Sequence, residues 1–136
     1  KDLWAWCVED LARHPFAPYT ALAARATADE PAYRRAAAAV AAFIRRAPPH
    51  RGGVTATELP ETALTAVAAH ALAGSRRHRA AHADALGFVG ARQLLPGRIA
   101  APLDPTLALG GFAATPVDDT LRADIAGHAL LALVAT

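Results

Sequence analysis

Apolar positions recur along this chain with the period of a helix, not a strand. Tyr33, Ala36 or Ala37, Val40 and Phe43 or Ile44 fall on one face of a helix, and His78, Ala81, Ala85 and Phe88 do the same 45 residues later. Arg34, Arg35, Arg45, Arg46 and the Arg76–Arg79 cluster fall on the outer, polar side. Sliding the chain by 45 aligns residues 20–43 with 65–88 without a gap, with ten of 24 pairs identical. Most of those identities are Ala on Ala, so the weight rests on Thr20/Thr65, Arg34/Arg79 and Phe43/Phe88. A helical pair of this length cannot bury its apolar face alone and stacks on copies of itself.

Each unit reads as a hairpin, a short helix followed by a tight break and a longer one. In the first unit Asp29 caps and Pro31 fits the first turn; in the second Gly74 ends one helix and Ser75 caps the next. The units span about 17–46 and 60–93, an amphipathic helix "DLWAWCVEDLAR" precedes them, and a final helix runs from about 118 to 135. That makes about six helices in one domain over 1–136, read as a piece of something longer. The Pro- and Gly-rich stretches "APPHRGGVTATELP" and 94–115 are the loops.

Composition sharpens this reading. Apolar residues make up 54% of the chain but aromatics only 6%, because alanine dominates, and alanine both favours helix and lets helices approach closely. The fold class is therefore all-α, built of helical hairpin repeats as part of an (α/α) toroid or a short α-solenoid. The formal charge of +2, nearly all from Arg, is too small to require a nucleic acid, and no aromatics are interleaved with the Arg clusters to stack on bases. These arginines read as a solvated face, with a phosphate or diphosphate as the alternative. The longest apolar run, "AAAAVAAFI", is about half of a membrane span, so no membrane crossing is expected. Cys7 is alone and excludes an internal disulfide, which leans toward the cytoplasm.

Candidate chemistry is sparse. "HRAAH" sets His78 and His82 four apart, a two-ligand spacing that lacks a third ligand unless Asp84 supplies it. No metal or cofactor is therefore expected. Trp4, Trp6, Phe16 and Tyr19 read as core aromatics or as packing against a preceding helix outside this sequence, with a ligand cage as the alternative. His128 sits in "DIAGHALLALV", a stretch apolar nearly all round and so expected to be buried, with Asp124 one turn earlier as a carboxylate partner.

The stretch "FVGARQ" (88–93), followed after a loop by "GGF" (110–112), resembles the repeated aromatic, Gln and Gly-aromatic pattern of terpene cyclases and protein prenyltransferase β subunits. "FIRRAP" with "GGV" (52–54) looks like a degraded copy. The resemblance implies an α/α toroid in which Phe88, Gln93, Gly111 and Phe112 tie hairpins together. It also implies that "PVDDT" (116–120) stands where class II cyclases carry D-x-D-D-T, with Asp118 as the acid that protonates an alkene and Asp119 beside it. Pro116 replaces the leading Asp. The same letters also make a capping box, with Thr115 as cap, Pro116 in the first helical position and Asp118 three residues after the cap. Two functions follow. One is a toroid enzyme acting on an apolar, isoprenoid-like ligand through Asp118, Asp119, Asp124 and His128; the other is a non-catalytic repeat module that binds a protein or glycan. A polysaccharide-active toroid enzyme is a further alternative, and the remainder of the same chain is a candidate partner.

Overall fold

The computed structural model describes residues 17–55, 58–97 and 108–135. These residues form five α-helices and no β-strand: α1 (Ala17–Ala26), α2 (Glu30–Phe43), α3 (Thr62–Leu72), α4 (Arg79–Gly90) and α5 (Ala123–Val134). The all-α class read from the sequence holds. No helix among the described residues is long and apolar enough to cross a membrane. The helix read in "DLWAWCVEDLAR", together with Cys7, Trp4, Trp6 and Phe16, lies outside the described residues, as do positions 98–107 of the second loop.

The helices form where alanine is dense and stop where local chemistry stops them. Asp29 accepts a hydrogen bond from the Ala32 amide at 3.0 Å and starts α2, with Pro31 in its first turn. The preceding α1 closes through Ala28, which takes a left-handed φ of 55° while the Asp29 amide donates to the Ala24 carbonyl. Gly74, at φ +75°, ends α3 as expected. Ser75, by contrast, makes no side-chain cap, and the chain runs through a single 3-10 turn, Arg76–His78, before α4 begins. The "HRAAH" pair therefore does not lie on one α-helix, since His78 precedes α4.

The central element is α3, which packs against α1, α2, α4 and α5. All of it is buried except Ala63 and His70, as expected of a helix that is apolar all round. Ala66, Ala68, Ala69 and Ala71 are fully buried, so neighbouring backbones approach closely around Leu72. Two long side chains of the first helical pair seal its C-terminal carbonyls: Arg25 donates to the His70 carbonyl at 2.9 Å and the Tyr33 hydroxyl to that of Ala71 at 3.0 Å. In α2, Ala36, Ala37 and Val40 are buried, on the face the spacing predicts, and Ile44, which leaves the helix in extended backbone, is buried as well.

Two loops close with the same bonds. The Arg45 amide donates to the Gly53 carbonyl and the Gly52 amide to that of Arg45, while the Leu94 amide donates to the Gly111 carbonyl and the Gly110 amide to that of Leu94. Gly52 and Gly110 have matching φ values of +88° and +84°. Val54 and Phe112, which follow these glycine pairs, are buried in the main core.

Candidate functional site

The sequence places a helix start at Thr115–Asp118, and the structure corrects it. Residues 118–122 are not helical and α5 begins at Ala123, with Arg122 as its flanking residue. Thr115 and Asp118 face one another in an isolated bridge, and the Thr115 hydroxyl accepts from the Val117 amide at 3.3 Å. Asp118 accepts from both the amide (2.9 Å) and the hydroxyl (2.5 Å) of Thr120. "PVDDT" is thus an Asx-type turn, an arrangement that competes with helix for the same residues.

This turn forms one wall of an open groove of about 1030 Å³. The floor is apolar, from Leu64 of α3, Ala114 and Ile125 of α5, and Tyr19 of α1 stands at its edge. The rim carries four carboxylates, Glu58, Glu61, Asp118 and Asp124, against one guanidinium, Arg122. Arg122 is itself engaged by Asp124 in a two-point pair at 2.9 and 3.0 Å. A chain of net charge +2 therefore gathers a local excess of negative charge at this groove.

The electrostatics follow. Hydrogen bonds from the Thr120 hydroxyl and amide hold the exposed Asp118 carboxyl below its usual pKa. Desolvation raises that of Asp124, but the hydrogen bond and charge of Arg122 outweigh it and the net shift is downward. Tyr19 is pushed up by burial first, then by the negative charges of Asp124 and Glu61. Protonating an alkene requires a carboxylic acid kept neutral in a dry pocket. Asp118 is exposed, ionised at neutral pH and opens onto a groove.

Asp119 is half-buried beside it. His128 is half-buried, not fully buried as the apolar letters around it suggest, and its ring meets Tyr19 edge to face with centroids 6.1 Å apart. Asp124, one turn before it, spends its carboxylate on Arg122, so the expected carboxylate–imidazole pair gives way to an ion pair at the helix start. Tyr19, read as a core aromatic or as packing against a preceding helix, is 42% exposed. Three of the four candidate residues, Asp118, Asp124 and, through Tyr19, His128, thus lie at or near one groove. Glu58 and Glu61 are the groove residues that the sequence reading missed; no local motif marks them.

A second groove of about 610 Å³ lies where the breaks of the two helical pairs meet, and it carries Arg25, Arg34, Arg76 and Arg77. Arg34 is tied to Glu30 at 2.9 Å with both side chains largely exposed, as a solvated face would be. Among the described residues no group of three or more His, Cys, Asp or Glu side chains is placed to hold a metal.

Burial lowers the pKa of His70, His78 and His82, assisted at His70 by Arg25 and then His128, and at His78 by Arg77. The His82 Nε2 is buried without a partner among the described residues. The unfolded chain, with histidines near 6.5, then binds more protons than the folded one below that pH. The thermal midpoint is expected to fall as pH is lowered from ~7.5 to ~5.5. A His82→Gln variant should show a shallower fall, measured by circular dichroism across that range.

Comparison with protein-family models, with curated proteins and with solved structures finds no match for this chain.

Proposed function

We propose that this chain is a non-catalytic helical-hairpin module whose acidic groove holds a basic, partly apolar segment of a protein partner. One observation carries the reading: four carboxylates against one guanidinium rim an open groove with an apolar floor. Such a groove suits an extended segment or helix that presents aliphatic side chains to Leu64 and Ile125 and Lys or Arg to the rim. Within this proposal the two helical pairs, α1 with α2 and α3 with α4, are copies of one repeat, and α5 opens a third.

A second reading has its own observation. The matching glycine-pair closures at 52–53 and 110–111, and Gln93 reaching the Gly110 carbonyl at 3.4 Å, favour the α/α-toroid resemblance. With that resemblance comes an enzyme acting on an isoprenoid-like ligand, with Asp118 or Asp119 as its acid.

One experiment separates the two. An Arg- and Leu-containing peptide titrated into labelled protein should shift the amides of Leu64, Thr120 and Ile125. The double variant Asp118→Asn/Glu61→Gln should weaken that binding by about tenfold or more while the unfolding midpoint stays close to wild type. Unchanged affinity in the double variant, or turnover of an isoprenoid diphosphate that Asp118→Asn abolishes, would hand the lead to the enzyme.

A further inference from the structure

The cleft between the breaks of the two helical pairs is basic, and the proposed function makes no use of it. Arg25 and Arg34 come from the first pair and Arg76 and Arg77 from the break between α3 and α4, and they share a volume of about 610 Å³ with two carboxylates, Asp29 and Glu30. Both carboxylates are engaged. Asp29 accepts from the Ala32 amide at the start of α2, and Glu30 pairs with Arg34 at 2.9 Å. Among the described residues, by contrast, no hydrogen bond or ion pair engages the side chain of Arg76 or Arg77. Two guanidiniums are left over where like charge already accumulates, a self-repulsion that a bound anion relieves.

Helix closure does not account for them. Both α1 and α3 end at this cleft, and cations favour the C-terminal ends of helices. Those carbonyls, however, have other partners. The Ala23 and Ala24 carbonyls accept from the Thr27 hydroxyl at 3.0 and 3.2 Å, that of His70 from Arg25, that of Ala71 from Tyr33 and that of Leu72 from the Ser75 amide. Arg76 and Arg77 add nothing to this closure. The acidic groove lies at the opposite ends of the same two helices, at Tyr19 and Leu64, so it does not neutralise the cleft either.

We infer that this cleft binds the phosphate group of a small molecule. A phosphate monoester carries about two negative charges at neutral pH, which matches the two uncommitted guanidiniums. Each guanidinium fork can pair with two phosphate oxygens. The Ser75 hydroxyl, which lines the cleft and caps nothing, is a further donor. Two charges suffice for one phosphate and are too few for the run of phosphates along a nucleic acid. The cleft is larger than a phosphate, and Ala28, Tyr33 and Ala73 offer an apolar wall to the rest of the molecule. His78 lines the same cleft, its pKa held down by burial first and then by Arg77; a bound anion opposes that shift. The inference is independent of what the acidic groove binds.

Titration of inorganic phosphate and of phenyl phosphate into the full chain at fixed ionic strength, followed by NMR, tests it. The expected result is saturable one-to-one binding that shifts the amides of Glu30, Ser75, Arg76 and Arg77 and moves the titration midpoint of the His78 imidazole upward. Arg76→Gln/Arg77→Gln should weaken that binding by at least about tenfold. Its unfolding midpoint should stay close to wild type, because both side chains are exposed. Arg35→Gln/Arg79→Gln removes the same charge from exposed arginines outside the cleft and should change the affinity by less than about twofold. Equal weakening in the two double variants would mean an adventitious ion only, drawn by net charge, and overturns the inference. So does binding that does not saturate, or a glutamate-rich peptide that shifts the same amides and binds more tightly than phenyl phosphate, which would make the cleft a protein-docking surface.

Discussion

Replacing Gly52 by alanine is expected to lower the unfolding free energy by about 3 kcal/mol or more, among the larger effects available to a single methyl group. Two costs combine. At φ +88° an alanine Cβ is strained against its own backbone. The added carbon would also collide with the Asp84 carbonyl and come within 3.1 Å of the Phe88 Cβ. Asp84 has little freedom to retreat, because its carboxylate is held by Arg51 through bonds of 3.0 and 3.3 Å and its backbone lies within α4. Gly110 provides the control. It has nearly the same φ, +84°, and closes the equivalent turn, but a Cβ there meets nothing within 4 Å. Gly110→Ala should therefore cost only the backbone strain, about 1 kcal/mol. Urea unfolding of both variants measures the difference. Equal losses would mean that the 47–55 loop shifts away from α4, and the close approach is not what fixes it.

Much of the helical scaffold was legible because its signals are local. Asp29 and Pro31 start α2 where the letters say, and Gly74 ends α3 because only a residue tolerant of positive φ closes that helix without strain. What failed did so for physical reasons. Thr-Pro-Val-Asp fits a capping box and an Asx turn equally well, and the Thr120 hydroxyl tips it to the turn by binding Asp118, which delays α5 to Ala123. The burial of α5 was misread because apolar letters record a helix's demand for cover and not its supply. The Asp124–His128 pairing was misread because Arg122, two residues away, competes for the same carboxylate with a geometry an imidazole cannot match.

The groove itself was legible only in part. Asp118 stood out at an expected helix start and Asp124 as the carboxylate one turn before His128, but Glu58, Glu61 and Tyr19 join them only through tertiary packing. Glu61 flanks the start of α3 and Tyr19 lies in the first turn of α1, so their meeting depends on α1 and α5 both packing on the same central helix. The starts of α1, α3 and α5 meet at this groove. The carboxylates they carry therefore accumulate there, where the positive ends of the helices partly compensate their mutual repulsion.

Phe112→Ala is expected to cost about 3–5 kcal/mol, and to disturb the groove as well as the core. The ring is 3% exposed and belongs to the main cluster with Val54, Leu64 and Leu72. It anchors to the main core a segment otherwise held by the small Leu94–Ala108–Ala113 cluster and by hydrogen bonds: Leu94 with Gly110 and Gly111, and the Ala113 amide with the Arg92 carbonyl. The same segment delivers the Ala113 and Ala114 carbonyls to the Thr62 hydroxyl and amide, which are buried at the start of α3. Removing the ring opens a cavity and loosens the strap that holds Thr115–Asp118 against the groove. Urea unfolding should show the lower midpoint, and hydrogen exchange should show faster exchange at the Thr62 and Thr120 amides than in wild type. Phe112→Leu, which refills most of the volume, should recover most of the loss and restore slow exchange at both amides. If Phe112→Ala instead costs less than about 1 kcal/mol with exchange unchanged, the strap is held by its backbone bonds, and the position of Asp118 owes nothing to the core beneath it.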